Sequence, residues 1–320
     1  MSMLRGQMAV YHSLAELPPD FGPTVASIGN FDGVHRGHQE ILAAAIAEAR
    51  ALRARSVAIT FEPHPDHFLR LAQAPLLLTP TEERLRLLAE TGIDATLLLP
   101  FDAALASLSA RDFVRTVLVD ALGVRGLHEG ANFRFGHRAE AGVAELARFG
   151  AEYGFTLHVH QAVHVRGLEV SSSAIRERVA AGDMKRARWM LGRPFVVRST
   201  PVRNRGVGTQ LLVPTINLAP YDGQLPAFGV YVTCLTIGSR RFQAVTNVGN
   251  RPTFAGAGFS VESYILDFEP IDLTAETPLK LEFLHRLRPE MAWPSPEALK
   301  AQIFRDVARA QRYFRLALPR

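Results

Sequence analysis

Cysteine is nearly absent from this chain: Cys234 is the one thiol in 320 residues. A lone cysteine cannot form an internal disulfide, which excludes a bridge-stapled scaffold and fits a reducing compartment. Its surroundings, VYVTCLTI, alternate as a strand does, so the expected role is that of a small buried hydrophobe. Long apolar runs are missing too. No stretch approaches the roughly 18 consecutive apolar residues of a membrane span, and the opening MSMLRGQMAVYHSLAEL lacks the uninterrupted apolar core of a signal peptide. A cytoplasmic protein without a membrane partner is therefore expected. Low-complexity tracts, runs of like charge and internal repeats are also lacking, and with 48% apolar and 21% charged residues the composition is that of a folded chain.

A chain of 320 residues exceeds most single hydrophobic cores, so two domains are expected. The formal net charge of +5 comes mainly from scattered arginine, as in RNR at 203–205 and RLR at 286–288. Such a surface suits phosphates or a nucleic-acid backbone, and equally an ordinary solvated face.

From residue 24 to about 160, short apolar runs alternate with longer amphipathic stretches. TVASIGNF, SVAITFEP (56–63), ATLLLPF (95–101), GLHEG (126–130) and TLHVHQAV (156–163) read as strands. HQEILAAAIAEARALR, TEERLRLLAE, SARDFVRTVLVDAL and AEAGVAELARFGAEYG place apolar residues at helical intervals between them. This alternation predicts an α/β fold, a parallel sheet with helices on both faces, whose ligands bind beyond the carboxyl ends of the strands. SSSAIRERVAAGDMKRARWMLG (171–192) reads as two helices joined at Gly182–Asp183. Beyond Gly192 and Pro194 the texture changes to FVVRSTPV, TINLAP, VYVTCLTI, RFQAVTNV, SVESYILDF and LKLEFLHRL. These strands lack intervening helices and suggest an antiparallel barrel or sandwich. A final helix is predicted over 295–314, with Ser295 as N-cap and Pro296 at its first position. The domain boundary is expected between 185 and 195.

The stretch that carries chemistry is SIGNFDGVHRGH at 27–38. A strand that ends near Asn30 and a helix that starts after Gly33 leave unpaired backbone N–H groups facing any anion placed there. His35 and His38, three apart, share one helix face and can donate to oxygens whose charge grows as a phosphorus is attacked. Gly33 and Gly37 allow the turn and a close approach of phosphate. Two other readings remain open on the residues alone: a metal pair, with HPDH at 64–67 offering His64, Asp66 and His67, and purely structural histidines. A divalent site usually wants a further ligand that this spacing does not supply.

GNFDGVHRGH resembles the GxFDGxHxGH signature of the bacterial bifunctional riboflavin kinase/FMN adenylyltransferase family, a branch of the nucleotidylyltransferases marked by HxGH. TFEPHP (60–65), FRFG (133–136) preceded by Asn132, SSSAIR (171–176) and LGRPF (191–195) resemble further family stretches in the same order, and the likeness covers nearly the whole chain. It implies a Rossmann-like nucleotidylyltransferase domain over 1–190 and a riboflavin-kinase-like antiparallel β-barrel with a C-terminal helix over 191–320. The implied reactions are transfer of AMP from ATP to FMN, giving FAD and pyrophosphate, and phosphorylation of riboflavin to FMN. ATP, FMN and riboflavin are the implied small-molecule substrates, Mg2+ the implied metal, and no nucleic acid is expected.

By the same likeness His35, His38 and Arg176 act on the transition state and leaving charge. Gly29, Asn30, Asp32, Gly33, Asn132, Ser172 and Ser173 surround ATP and its phosphates, and Arg176 offers them a planar fork. Phe61, Pro63 and Pro65 would wall the flavin, with a rigid strand exit as the alternative reading. In the second half VPTIN resembles the family's PTAN, so Thr215 and Asn217, two apart and on one face of a strand, are the implied Mg2+ ligands. Gly206, Gly208 and Asn247 are implied at ATP, and Glu262 is the implied base for the riboflavin hydroxyl. This half departs from the family pattern in three places: Leu212–Val213 replaces Gly-Phe, Tyr264 stands two after the glutamate where histidine is usual, and Thr274–Ala275–Glu276 replaces Tyr-Gly-Lys. Two rivals follow: an adenylyltransferase with a degenerate flavin-binding barrel, and a noncatalytic flavin or nucleotide sensor.

Overall fold

A computed structural model describes residues 8–202, 215–253, 256–266 and 273–317, with the side chains of 250–253 and 256–259 excepted. Its contacts divide the chain into two compact units, Met1–Ser172 and Ser173–Arg320.

The first unit is built on the strands β1 (Ala9–Tyr11), β2 (Thr24–Ile28), β3 (Arg55–Glu62), β4 (Ala95–Pro100) and β5 (Val124–Gly130). Its helices are α1 (Arg36–Leu52), α2 (Pro65–Leu69), α3 (Thr81–Thr91), α4 (Ala103–Ser107) and α5 (Ala110–Phe113). A small ribbon of β6 (Arg134–Phe135) and β7 (Ala141–Gly142) leads into α6 (Val143–Tyr153) and β8 (Thr156–His160). A second ribbon, β9 (His164–Val165) with β10 (Leu168–Glu169), follows.

The main sheet is parallel throughout, in the order β1-β4-β3-β2-β5-β8. All five residues of β2 are buried, as a strand covered on both faces requires, and this is why its sequence reads as a continuous apolar run. The chain winds from β2 toward β4 and then crosses back to β5, so the strand order reverses between β2 and β5. That reversal is where an open α/β sheet parts to admit a ligand. All five expected strands are present. β1, a three-residue edge strand paired with β4, was not expected, because AVY is too short to show a period. The stretch expected as one helix over 109–122 is α-helical only to Phe113 and continues as a π-helix over Val114–Ala121, burying Val114, Val117 and Leu118.

The second unit opens with most of α7 (Ser172–Ala180) and with α8 (Met184–Leu191), which meet at Gly182–Asp183 as expected. The strands are β11 (Phe195–Ser199), β12 (Pro201–Val202), β13 (Thr215–Leu218), β14 (Gly229–Ile237), β15 (Arg240–Thr253), β16 (Gly256–Ile265) and β17 (Leu279–Pro289). They form one antiparallel sheet in the order β11-β17-β14-β15-β16-β13-β12. Its two edge strands, β11 and β12, are consecutive in the chain and separated only by Thr200, so the sheet has to curl until its edges approach. This is the barrel alternative of the two expected. Cys234 is buried inside it, where desolvation pushes the thiol up to about 11 and leaves it inert. The last helix, α9 (Pro296–Ala317), starts where expected, with Ser295 Oγ accepting from Ala298 N at 3.3 Å. It buries Asp306, Ala310 and Phe314, one residue per turn, against the sheet. Among the described residues no helix is long and apolar enough to cross a membrane.

Candidate functional site

In the first unit the loop that leaves β2 is held in an unusual conformation. Phe31 and Val34 have φ of 48° and 36°, and Gly33 has φ of 84°. Left-handed backbone at two bulky residues costs energy, so the surroundings must impose it. Asp32 supplies the restraint. It is 1% exposed, and its carboxylate accepts from Leu78 N (3.1 Å), Thr79 N (2.9 Å) and Thr79 Oγ1 (3.1 Å), while Gly33 N donates to the same threonine hydroxyl at 2.9 Å. Ser172 Oγ donates to the Asp32 carbonyl at 2.8 Å from the other side.

This loop delivers the chain to the N-terminus of α1 with His35 as its cap. His35 Nδ1 accepts from His38 N at 3.3 Å, so a neutral His35 carries its proton on Nε2. The two imidazoles stack, with ring centroids 3.6 Å apart and 17° between planes, and Phe31 closes on His38 edge-on at 5.2 Å. The histidines therefore do share one face. A Cβ at Gly37 would lie 3.2 Å from His35 Cε1 and Nδ1, which is why a side chain there would displace the ring.

Beside this loop a cavity of about 740 Å³ opens at the carboxyl ends of the strands. Gly29, Asn30, Phe61, Pro65 and Asn132 of the expected set line it, together with Phe101 and Arg70. Pro63 is exposed and does not line it, and neither do His35 and His38. Ser173 and Arg176 fall in the second unit, where Arg176 Nη1 donates to Ser173 Oγ at 3.4 Å. The alternative of a metal held by the histidine pairs gains nothing here. Among the described residues, neither His35–His38 nor His64–His67 belongs to a group of three metal-ligating side chains.

Two residues that hold this end of the sheet escaped the sequence reading. Arg84 on α3 is 0% exposed and donates to Asn30 O (3.1 Å), Phe61 O (2.9 Å) and Glu62 Oε2 (3.1 Å), so one guanidinium pins the exits of β2 and β3. Burial lowers its pKa, against the raising effect of Glu62 and Asp32. The signal was present, since Arg84 shares a helical stripe with the buried Leu87 and Leu88. Glu129 stands where β2 and β5 part. Its Oε1 accepts from Ile28 N at 2.7 Å, and its full burial raises its pKa well above the usual carboxylate value despite that bond. Its bond to Ile28 N replaces a missing rung of the ladder.

In the second unit the register gathers the expected kinase residues. Asn217 faces Glu262, and Glu262 faces Asn247; two residues along, Thr215 faces Tyr264. Thr215, Asn247, Glu262 and Tyr264 line a cavity of about 340 Å³ that is closed by Trp293, Leu299 and Ile303. Asn217 Oδ1 is buried with no hydrogen-bond partner among the described residues. A buried carbonyl oxygen without a donor is costly, and a hard cation is one group that would satisfy it, so the residues fit Mg2+. Arg288 Nε meets Asp306 Oδ2 at 2.8 Å beside this cavity, clamping β17 to α9. Gly206 and Gly208, with Leu212 and Val213, lie outside the described residues.

Residues 18–174 match the family model for FAD synthetase, and residues 191–314 match that for riboflavin kinase. A bifunctional riboflavin kinase/FMN adenylyltransferase from Pseudomonas fluorescens is 39% identical over 95% of this chain and 97% of its own length. The protein of the same name from Escherichia coli K12 is 35% identical over the full length of both. A crystal structure described as a macrolide-efflux protein from Streptococcus pneumoniae superposes with a TM-score of 0.85 at 26% identity, covering 95% of this chain and 99% of that one.

Proposed function

Because the chain belongs to the bifunctional riboflavin kinase/FMN adenylyltransferase family, we propose that its two halves divide the work, residues 1–190 forming FAD from FMN and residues 191–320 forming FMN from riboflavin. Both activities, and ATP, FMN and riboflavin as substrates, follow from membership. The assignment of residues, of Mg2+ and of a cytoplasmic location is our reading.

In the first half, a phosphate oxygen of FMN attacks the α-phosphorus of ATP as the bond to pyrophosphate breaks. No protein nucleophile is required, so the chain's share is positioning and charge stabilisation. His35 and His38 donate to the oxygens that gain charge, and Asp32, through Thr79, holds the loop that presents them. Gly29, Asn30, Gly33 and Asn132 border the nucleotide, Phe61 and Pro65 the flavin, and Ser172 the phosphates. The observation that carries this reading is the stacked histidine pair at a helix start, next to a cavity at the reversal of strand order.

In the second half, Glu262 accepts the proton of the riboflavin 5′-hydroxyl as that oxygen attacks the γ-phosphorus, with Asn247 beside it. Thr215 and Asn217 would hold Mg2+, supported by the unsatisfied Asn217 oxygen. When bound, the ion supplies positive charge against the phosphates. Tyr264 lines the same cavity at the position where histidine is usual, so its replacement leaves the cavity formed. The match of residues 191–314 to the riboflavin kinase model weighs against a degenerate barrel.

The test supplies ATP and Mg2+ with riboflavin, or separately with FMN, and resolves flavins by chromatography. His38→Ala is expected to lower FAD formation from FMN about 10²- to 10³-fold while FMN formation continues. Glu262→Gln is expected to do the reverse. Full-rate FAD formation by His38→Ala would refute the role given to the pair.

A further inference from the structure

We propose that the far edge of the first unit carries a binding site for a borderline divalent cation of the zinc class, formed by Glu48, His128 and His158 and separate from the catalytic residues. His128 on β5 and His158 on β8 are direct partners in the parallel register, so their side chains leave the same face of the sheet. Their rings stack with centroids 4.6 Å apart. α1 crosses that face and brings Glu48 onto it. Glu48 Oε2 lies 2.6 Å from His128 Nε2 and 3.2 Å from His158 Nε2, and the three ligand atoms all fall within 4.8 Å of one another. Ligands around a four-coordinate ion with bonds of about 2.0–2.1 Å are separated by roughly 3.3 Å, so the Glu48–His158 separation of 3.2 Å already suits an ion, and the 2.6 Å Glu48–His128 pair would open to admit it.

Two further features support a built site. Gly126, two residues before His128 on the same face, leaves the space that the carboxylate fills; a Cβ there would lie 2.7 Å from Glu48 Oε1. His160, two after His158, places Nε2 3.0 Å from His128 Nδ1. That is the outer hydrogen bond that orients a ligating imidazole and leaves its Nε2 for the metal. Two imidazoles and one carboxylate select zinc, cobalt, nickel or copper over magnesium. His158 is 43% exposed, which gives the ion an entry path and water a fourth position. The ion would tie the C-terminal half of α1 to β5 and β8, ten residues or about 15 Å along the helix from His38.

The test uses the untagged full-length chain, treated with chelator and dialysed, then titrated with Co2+ in the presence of excess Mg2+. The expected result is one ion per chain, with the visible absorption of four-coordinate Co2+, and displacement of that band by one equivalent of Zn2+. His158→Ala is expected to weaken binding at least about 100-fold and His160→Ala about 10- to 100-fold, while Asn217→Ala leaves the band intact. Circular dichroism and FAD formation by the metal-free variants establish that they are folded. Absence of the band in the wild-type chain, or a folded His158→Ala protein that binds Co2+ with unchanged affinity and spectrum, would overturn the proposal.

Discussion

Replacing Arg84 with methionine keeps the long stem that fills the space between α3 and the sheet but removes the guanidinium. The two backbone acceptors, Asn30 O and Phe61 O, each lose a charge-assisted bond, worth about 1.5–3 kcal/mol. Asn30 O keeps a weaker donor in Thr60 Oγ1 at 3.3 Å. The Glu62 carboxylate is 44% exposed and rehydrates, so its pair with Arg84 adds little. Against these losses stands the desolvation of a fully buried cation, the same term that lowers its pKa, and methionine recovers part of it. The net loss is then about 2–3 kcal/mol. For a unit of this size that corresponds to roughly 5–10 °C in the unfolding midpoint. The assay is thermal inactivation of FAD formation and of FMN formation in the same preparation. The first is expected to fail at the lower temperature in the variant and the second to be unmoved. Arg84→Lys should recover only part of the loss, because a single ammonium cannot reach three oxygens at once. An unchanged midpoint for FAD formation in Arg84→Met would refute the view that this cation holds the strand exits.

Gly37→Ala places a methyl 3.2 Å from the His35 ring inside a helix that alanine favours, so kcat for FAD formation should fall about 10-fold with the melting temperature unchanged or raised; equal kcat would discount the pair's alignment. Glu129 carries a pKa raised in the folded state, so its contribution is fully present below its ordinary value and is lost as pH climbs toward the raised one. Glu129→Gln should therefore melt progressively higher than the wild type as pH rises above the ordinary carboxylate range, and a difference independent of pH would contradict the raised pKa. Gly182 has φ of 75°, and a Cβ there would lie 2.8 Å from both Tyr231 Oη and Arg286 Cδ. Gly182→Ala should destabilise the second unit by about 2–4 kcal/mol, read as earlier thermal inactivation of FMN formation.

Much of the fold was legible in the sequence. The helical and strand periods located α1, α3, the central strands and the barrel strands, because one-sided or two-sided burial leaves its mark on the spacing of apolar residues. The i, i+3 spacing placed His35 and His38 on one face, and the stacked rings show that face. Strand parity placed Thr215 with Tyr264 and Asn217 with Glu262 only once register was known, since nothing local sets which residues oppose one another across the barrel. Asp32 was legible as a loop residue but not as the clamp on Thr79, forty-seven positions away.

What the sequence determined by itself was local: where helices begin, which strands are covered on both faces, and which short stretch sets two imidazoles among glycines. These depend on neighbours within a few residues, whose preferences the chain carries wherever it goes. The tertiary structure alone decided the rest. It put a charged residue of α3 under two strand exits, gave Glu129 the backbone partner that a parting ladder had lost, and brought Glu48 over His158 and over His128, eighty residues away. Those meetings depend on which strands become neighbours and on how deeply each group is buried, and burial sets both the protonation of a carboxyl and the cost of leaving an oxygen unmet.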